Sequence, residues 1–175
     1  MIFQFKDKIP SYGSETYIAR SAEIIGDVII GNNCYVGPGA KIRGDYGIIR
    51  IGNRTSIQEN CVIHARAGGS CAIGNNVIVG HAAILHGPVI EDNVIIGMGA
   101  IISDDVLIKS WCIIGAGALV PSRQTFDQES LVIGVPAKIK RKLMEKDRMM
   151  IQTSANVYAQ LSSQYLKDLK ELSDQ

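Results

Sequence analysis

The chain has three histidines, His64, His81 and His86, and all lie between positions 64 and 86 of its 175 residues. Imidazole is a common zinc ligand, and three imidazoles leave a fourth position open, the pattern of a catalytic rather than a closed structural site. The same donor set also accepts Fe(II) or Co(II). Whether the three can meet depends on the elements that carry them.

Those elements are written in a repeat. An aliphatic residue returns every six positions in four runs: Ile18, Ile24, Ile30, Val36, Ile42; Ile51, Ile57, Ile63; Ile73, Val79, Leu85; and Ile90, Ile96, Ile102, Ile108, Ile114, Val120. Glycine often follows it, as at Gly31, Gly37, Gly52, Gly80 and Gly97, and the fifth place is often small or thin, as at Cys34, Ala40, Cys61, Ala83 and Ala100. A period of six is neither helical nor a plain alternation. It predicts a short strand and a tight corner, with three sides closing a coil of about 18 residues and the coils stacking as parallel strands. The expected fold is all-β, a left-handed parallel β-helix of hexapeptide repeats with a C-terminal α-helix. The aliphatic and small residues point inward, and the glycine is expected to supply the freedom a corner needs.

The phase breaks between Ile42 and Ile51, between Ile63 and Ile73, and between Leu85 and Ile90. The first two are insertions, expected as outer loops beside the working face. Residues 1–137 are assigned to the β-helix domain and 138–175 to a helical tail packed on it. In the tail Tyr158, Leu161, Tyr165, Leu169 and Leu172 recur at three and four, an amphipathic pattern, and Lys138, Lys140, Arg141 and Lys142 read as a solvated approach to it.

The repeat also fixes where the histidines stand. His64 follows Ile63 and His86 follows Leu85, three inward steps later, so they stack one coil apart on one side. Stacked strands are about 4.8 Å apart, and two imidazoles so placed can share an ion about 2.0–2.1 Å from each nitrogen. His81 stands two places after Val79, on the previous side and near another edge. It can reach the same pair on a neighbour, which predicts a homotrimer with metal sites at subunit interfaces. Arg43 follows Ile42, one coil before His64, with Asp45 close by. The two can pair across a subunit edge or within the chain. Gln58 and Glu59 follow Ile57, one coil before His81. An amide there can orient water or substrate, and a carboxyl can move a proton.

The formal net charge is +1, and no basic block precedes residue 138, which argues against nucleic acid as a partner. No run of about 18 apolar residues predicts a membrane span, and MIFQFKDKIPSYG does not read as a signal peptide. Cys34, Cys61, Cys71 and Cys112 are therefore expected as reduced thiols in a cytoplasmic protein, the first, second and fourth as small core residues. The expected partner, besides the chain's own copies, is a small-molecule substrate.

RGD (43–45), RIGNRTSIQENCVIH (50–64) and GHAAILH (80–86) resemble the γ-class carbonic anhydrase family, and with the repeat and tail the resemblance covers nearly the whole chain. GPGAKIRGDYG (37–47) and GHAAILHG (80–87) are most similar to its carnitine-operon and phenylacetate-operon branch, part of which is similar to thioesterases. The resemblance implies His64, His81 and His86 as ligands of zinc or iron, and Arg43 and Asp45 in a trimer interface. It places Gln58 and Glu59 near the bound water, and Tyr158, in SANVYAQL (154–161), reaching the site from the tail helix. The implied reaction is reversible hydration of CO2. Two departures predict weak hydration: residues 65–71 are short and lack the family prototype's carboxylate shuttle, and position 59 holds Glu where Asp is common. The alternatives are a metal-dependent acyl-CoA thioesterase, a hexapeptide-repeat acyltransferase using a histidine base without metal, and a non-catalytic trimeric scaffold.

Overall fold

In a computed structural model, which describes residues 1–172, the chain winds into a parallel solenoid of about seven coils, a left-handed β-helix closed by one C-terminal helix. Each coil has three faces. The first carries Val62–His64, Ile84–His86, Ile101–Ile102 and Leu119–Val120; the second carries Ser70–Ile73, Val89–Ile90, Leu107–Ile108 and Thr125–Phe126. Glu23–Ile30 and Lys41–Ile51 run around the corner and join these two faces into one sheet. The third face stacks Tyr17–Ile18, Tyr35–Val36, Ser56–Ile57, Ile78–Val79, Ile95–Ile96 and Ile113–Ile114 under Ser130–Gly134, and ends on the antiparallel Ala137–Lys142. The boundary drawn at 137/138 falls inside this last strand.

The six-residue period is the interior. Ile42, Ile57, Ile63, Val79, Leu85, Ile96, Ile102, Ile108 and Ile114 are fully buried, and Cys34, Cys61, Ala83, Ala100 and Cys112 fill the gaps between them. Cys71 is buried too, and burial pushes its thiol up to about 12. Burying each isoleucine contributes about 1.5–3 kcal/mol, so a polar residue at any of these places would break a coil.

The corners differ from the sequence expectation. The left-handed residue stands three places after the inward aliphatic, as at Asn33, Arg54, Asn60, Asn76, Ala82, Asn93 and Gly99, and not at the glycine that directly follows it. Asparagine tolerates this conformation better than most residues with a side chain. The glycine directly after the aliphatic is needed for closeness: a Cβ on Gly80 would meet the Ile96 carbonyl oxygen and the Met98 nitrogen, both at 2.8 Å. At another corner asparagine oxygens take up the exposed N–H groups: the N–H groups of Ser14, Asn32 and Asn53 donate to Asn32, Asn53 and Asn75 Oδ1, each at 2.8 Å.

Three further expectations are corrected. The repeat runs past Val120, because Phe126 and Val132 continue the buried column; an aromatic at one step hid it. The residues inserted after Ile42 make no pendent loop, since Lys41–Ile51 is continuous strand. The helix spans Glu145–Asp168, so Leu169 is its C-cap and Leu172 is exposed beyond it. Its buried stripe is Ile151, Ala155 and Ser162, with Tyr158 and Tyr165 beside it. Small residues let the helix lie close on the third face. Ser162 Oγ accepts the Tyr17 N–H at 2.9 Å and lies 2.7 and 2.8 Å from the Glu15 and Cys34 carbonyls.

Asp147 starts this helix. Its carboxylate accepts the Met144 N–H at 2.7 Å, half of a capping box, and is gripped by both Arg141 nitrogens at 2.6 and 3.1 Å. The Arg141 hydrogen bond, then that of Met144, holds the carboxyl at about 2. A depressed carboxylate stabilises the fold above its unfolded value, near 3.9, and that contribution is lost as pH falls through about 2. Asp147→Asn is therefore expected to melt below wild type at pH 6, with the gap closing as pH falls through about 2. Thermal melts that stay parallel across this range would show that the carboxylate's charge has no part in holding the helix.

Candidate metal centre

The coil arithmetic is met by the backbone. His86 pairs directly with His64, and His64 with Arg43, across successive strands of the first face. Their side chains point outward, one place past the buried Ile63 and Leu85. His64 Nδ1 and His86 Nε2 face each other at 3.1 Å. Two nitrogens on one tetrahedral zinc stand about 3.3 Å apart, so this pair fits a shared ion with little movement. Each remaining nitrogen rests on a carboxylate: His64 Nε2 lies 3.4 Å from Asp45 Oδ1, and His86 Nδ1 lies 3.0 Å from Asp104 Oδ1. Burial, followed by the Arg43 charge, lowers the His64 pKa, which favours the neutral imidazole a metal needs. Burial opposes ionisation of Asp45, but the Arg43 hydrogen bond and the Tyr46 N–H outweigh it and hold the carboxyl low. Arg43 and Asp45 pair within the chain at 2.5 Å.

His81 is elsewhere. It follows Gly80 at the corner between the third and first faces, next to the left-handed Ala82. Its Nδ1 lies 2.5 Å from Glu59 Oε2, and Glu59 Oε1 accepts the Tyr35 hydroxyl at 2.8 Å. Both Glu59 oxygens are thus engaged. Burial works against the Glu59 charge, but hydrogen bonds from its own backbone N–H, from Tyr35 and from His81 hold the carboxyl low. Gln58 is buried, and its Oε1 accepts the His81 backbone N–H at 3.1 Å. Tyr158 joins this cluster from the helix, with its ring 5.7 Å from that of Tyr35. Burial raises its phenol pKa, Glu59 adds to the rise, and the Gln58 amide opposes it.

The expected residues therefore fall into two groups at opposite edges of the first face. His64, His86, Arg43 and Asp45 form one, and His81, Gln58, Glu59 and Tyr158 the other. Among the described residues no three ligating side chains of one chain come together as a metal group. Between the two groups runs an apolar column, Val62, Ile84 and Ile101, 39%, 38% and 40% exposed. The helix packs against the third face. Sequence reasoning missed Tyr35 and Asp104; an acid one coil after His86 and one place further along was the available signal for the latter.

The model of the family described as "Bacterial transferase hexapeptide (six repeats)" matches residues 13–44 and 87–122. The chain is 35% identical over 162 residues to gamma carbonic anhydrase 1, mitochondrial, of Arabidopsis thaliana, covering 89% of this chain and 59% of the plant protein. It therefore spans less than two thirds of that relative's length. It is 32% identical over 145 residues to the carnitine operon protein CaiE of Escherichia coli K12, covering 83% of this chain and 74% of CaiE. A crystal structure of a hexapeptide transferase family protein from Anaplasma phagocytophilum superposes with a TM-score of 0.90 at 35% identity, over 94% of this chain and 97% of that one. No helix among the described residues is long and apolar enough to cross a membrane. On fold, repeat and identity across most of its length, the chain belongs to the hexapeptide-repeat family that includes the γ-class carbonic anhydrases and the CaiE carnitine operon proteins.

Proposed function

We propose that three copies of the chain close a ring through their first faces, hold zinc at each interface, and catalyse the reversible hydration of CO2 to bicarbonate. The observation that carries this reading is the pair of complementary half-sites at opposite edges of one uncovered apolar face. A threefold ring brings the His81 edge of one chain against the His64 and His86 edge of the next. His64 Nδ1, His86 Nε2 and the next chain's His81 Nε2, the nitrogens left free by the carboxylates, are the ones that would hold the metal. Zinc on three imidazoles supplies Lewis acidity that makes water a nucleophile near neutral pH. Asp45 and Glu59 keep two of the rings in one tautomer. Gln58 pins the His81 backbone, and Tyr158 and Tyr35 wall that side with neutral hydroxyls. Arg43 keeps Asp45 ionised and sits at the edge that meets the neighbour.

No carboxylate stands in residues 65–71, and both oxygens of Glu59 are engaged. Protons must leave through water and buffer. Zinc-loaded protein, purified without a histidine tag, is expected to hydrate CO2 far below about 10⁶ s⁻¹, and its rate should rise roughly tenfold as buffer is raised in a stopped-flow assay. A rate near that ceiling in weak buffer would sink the absence of a shuttle. A fully loaded trimer inert to CO2 would sink the reaction itself.

A second reading keeps the metal and changes the substrate to an acyl thioester. It is favoured by a cavity of ≈ 500 Å³ beside the short 65–71 loop, floored by Ile48, Val89 and Leu107 and edged by Gly68, Ser70 and Gly87. Gly87, which directly follows His86 in the chain, lines this cavity, so an acyl arm lying there would end near the His86 strand. Hydrolysis of a panel of acyl-CoA esters by the same loaded protein separates the two. Acyl transfer by metal-free protein would favour the transferase alternative, and activity with none of these substrates the scaffold.

A further inference from the structure

We propose that Asp104 is a positioning residue for the metal centre and that Arg66, from the inserted loop, holds it in place. This rests on the metal reading above. Asp104 Oδ1 lies 3.0 Å from His86 Nδ1, on the side of the ring opposite the nitrogen that faces His64. A carboxylate there accepts the Nδ1 hydrogen, leaves the lone pair on Nε2, and stops the ring from turning. The backbone makes space for it. Gly87 has φ +71°, and a Cβ on it would stand 2.7 Å from Asp104 Oδ1. Any side chain at 87 would push the carboxylate away, and the one-residue deletion beside Pro88 brings the next face in close behind.

Arg66 is the loop's contribution. Its Nη1 and Nη2 each lie 3.0 Å from an oxygen of Asp105, and its Nη1 lies 3.8 Å from Asp104 Oδ1. The fork fixes the corner that carries both acids and leaves Asp104 free to face His86. Each of the three imidazoles then has its own carboxylate: Asp45 on His64, Glu59 on His81 and Asp104 on His86. Removing such a partner typically weakens metal binding 10–100-fold. Arg66 acts at one remove, through an exposed ion pair, and its loss is expected to cost about two- to fivefold.

The test is zinc affinity by chelator competition, with the thermal melt of the metal-free protein measured alongside. Asp104→Ala should bind zinc about 10–100-fold more weakly, with the metal-free melt little changed. Asp104→Asn keeps one acceptor oxygen and should fall in between, and Arg66→Lys should bind better than Arg66→Ala. Asp127→Asn removes an ordinary surface pair with Lys109 and serves as the control. Cobalt-substituted Asp104→Ala should show an altered visible spectrum, since its ligand geometry is looser. Wild-type affinity in both Asp104 variants overturns the proposal. So does a loss of affinity in both variants matched by an equal loss in the metal-free melt, which assigns Asp104 a structural part. His64→Ala tells the two readings apart: if it binds zinc as tightly as wild type, the metal site itself is wrong; if it loses zinc while Asp104→Ala does not, only the positioning proposal fails.

Discussion

A His81→Ala chain and a His64→Ala chain, each purified alone, are expected to hold almost no zinc, and to recover part of it when unfolded and refolded together. Wild type should bind about one ion per chain, because a cyclic trimer has as many interfaces as subunits. Each variant alone has at most two imidazoles at every interface, and two hold zinc far more weakly than three. In a mixed ring, an interface is restored wherever the intact His81 of one chain meets the intact His64 and His86 of the next. With equal amounts and random closure, about a quarter of interfaces qualify. Metal analysis after gel filtration should therefore read about a quarter of the wild-type content, with mixed trimers confirmed by mass. Mixed trimers without any recovered zinc would mean that the ligands come from one chain, or that the site does not use all three histidines. His64 and His86 stand at one edge of the first face and His81 at the other, so no single chain completes the set.

Ile84→Glu is expected to dissociate the ring and to empty the metal site while leaving every histidine in place. Ile84 stands in the middle of the apolar column, between Val62 and Ile101 and between the two half-sites. Covering a half-exposed isoleucine contributes about 1 kcal/mol. A carboxylate in its place must be stripped of water, at a cost of several kcal/mol in each subunit contact. Light scattering should show the solution mass drop from about three chains to one, with bound zinc falling to near zero. The side chain points away from the interior, so the coil itself should persist by circular dichroism. Val157→Glu, on the outer side of the C-terminal helix and 52% exposed, should change neither mass nor metal. A zinc-loaded trimer of Ile84→Glu would show that the first face is not the assembly surface.

The spacing of the sequence determined the fold and the vertical order of the site. A solenoid converts residue number into height: a residue one coil on lies one strand away, whatever its neighbours. That is why spacing alone stacks Arg43, His64 and His86 and sets His81 on another side. Spacing says which way a side chain leaves the coil but not how far it reaches. Three decisions were therefore left to tertiary structure. Glu59 reaches His81 because the longer side chain bridges one coil at the corner and the Tyr35 hydroxyl holds its other oxygen. Asp104 reaches His86 because Gly87 leaves the space and Arg66 steadies the corner from a loop outside the repeat. The helix settles on the third face through Ala155 and Ser162, where small size and a hydroxyl that meets the coil's own N–H and carbonyls matter more than the aromatic and leucine pattern that first marked it. Periodicity sets position along the axis, whereas contacts that cross a corner depend on side-chain length, on vacancies left by glycine and on partners far off in sequence.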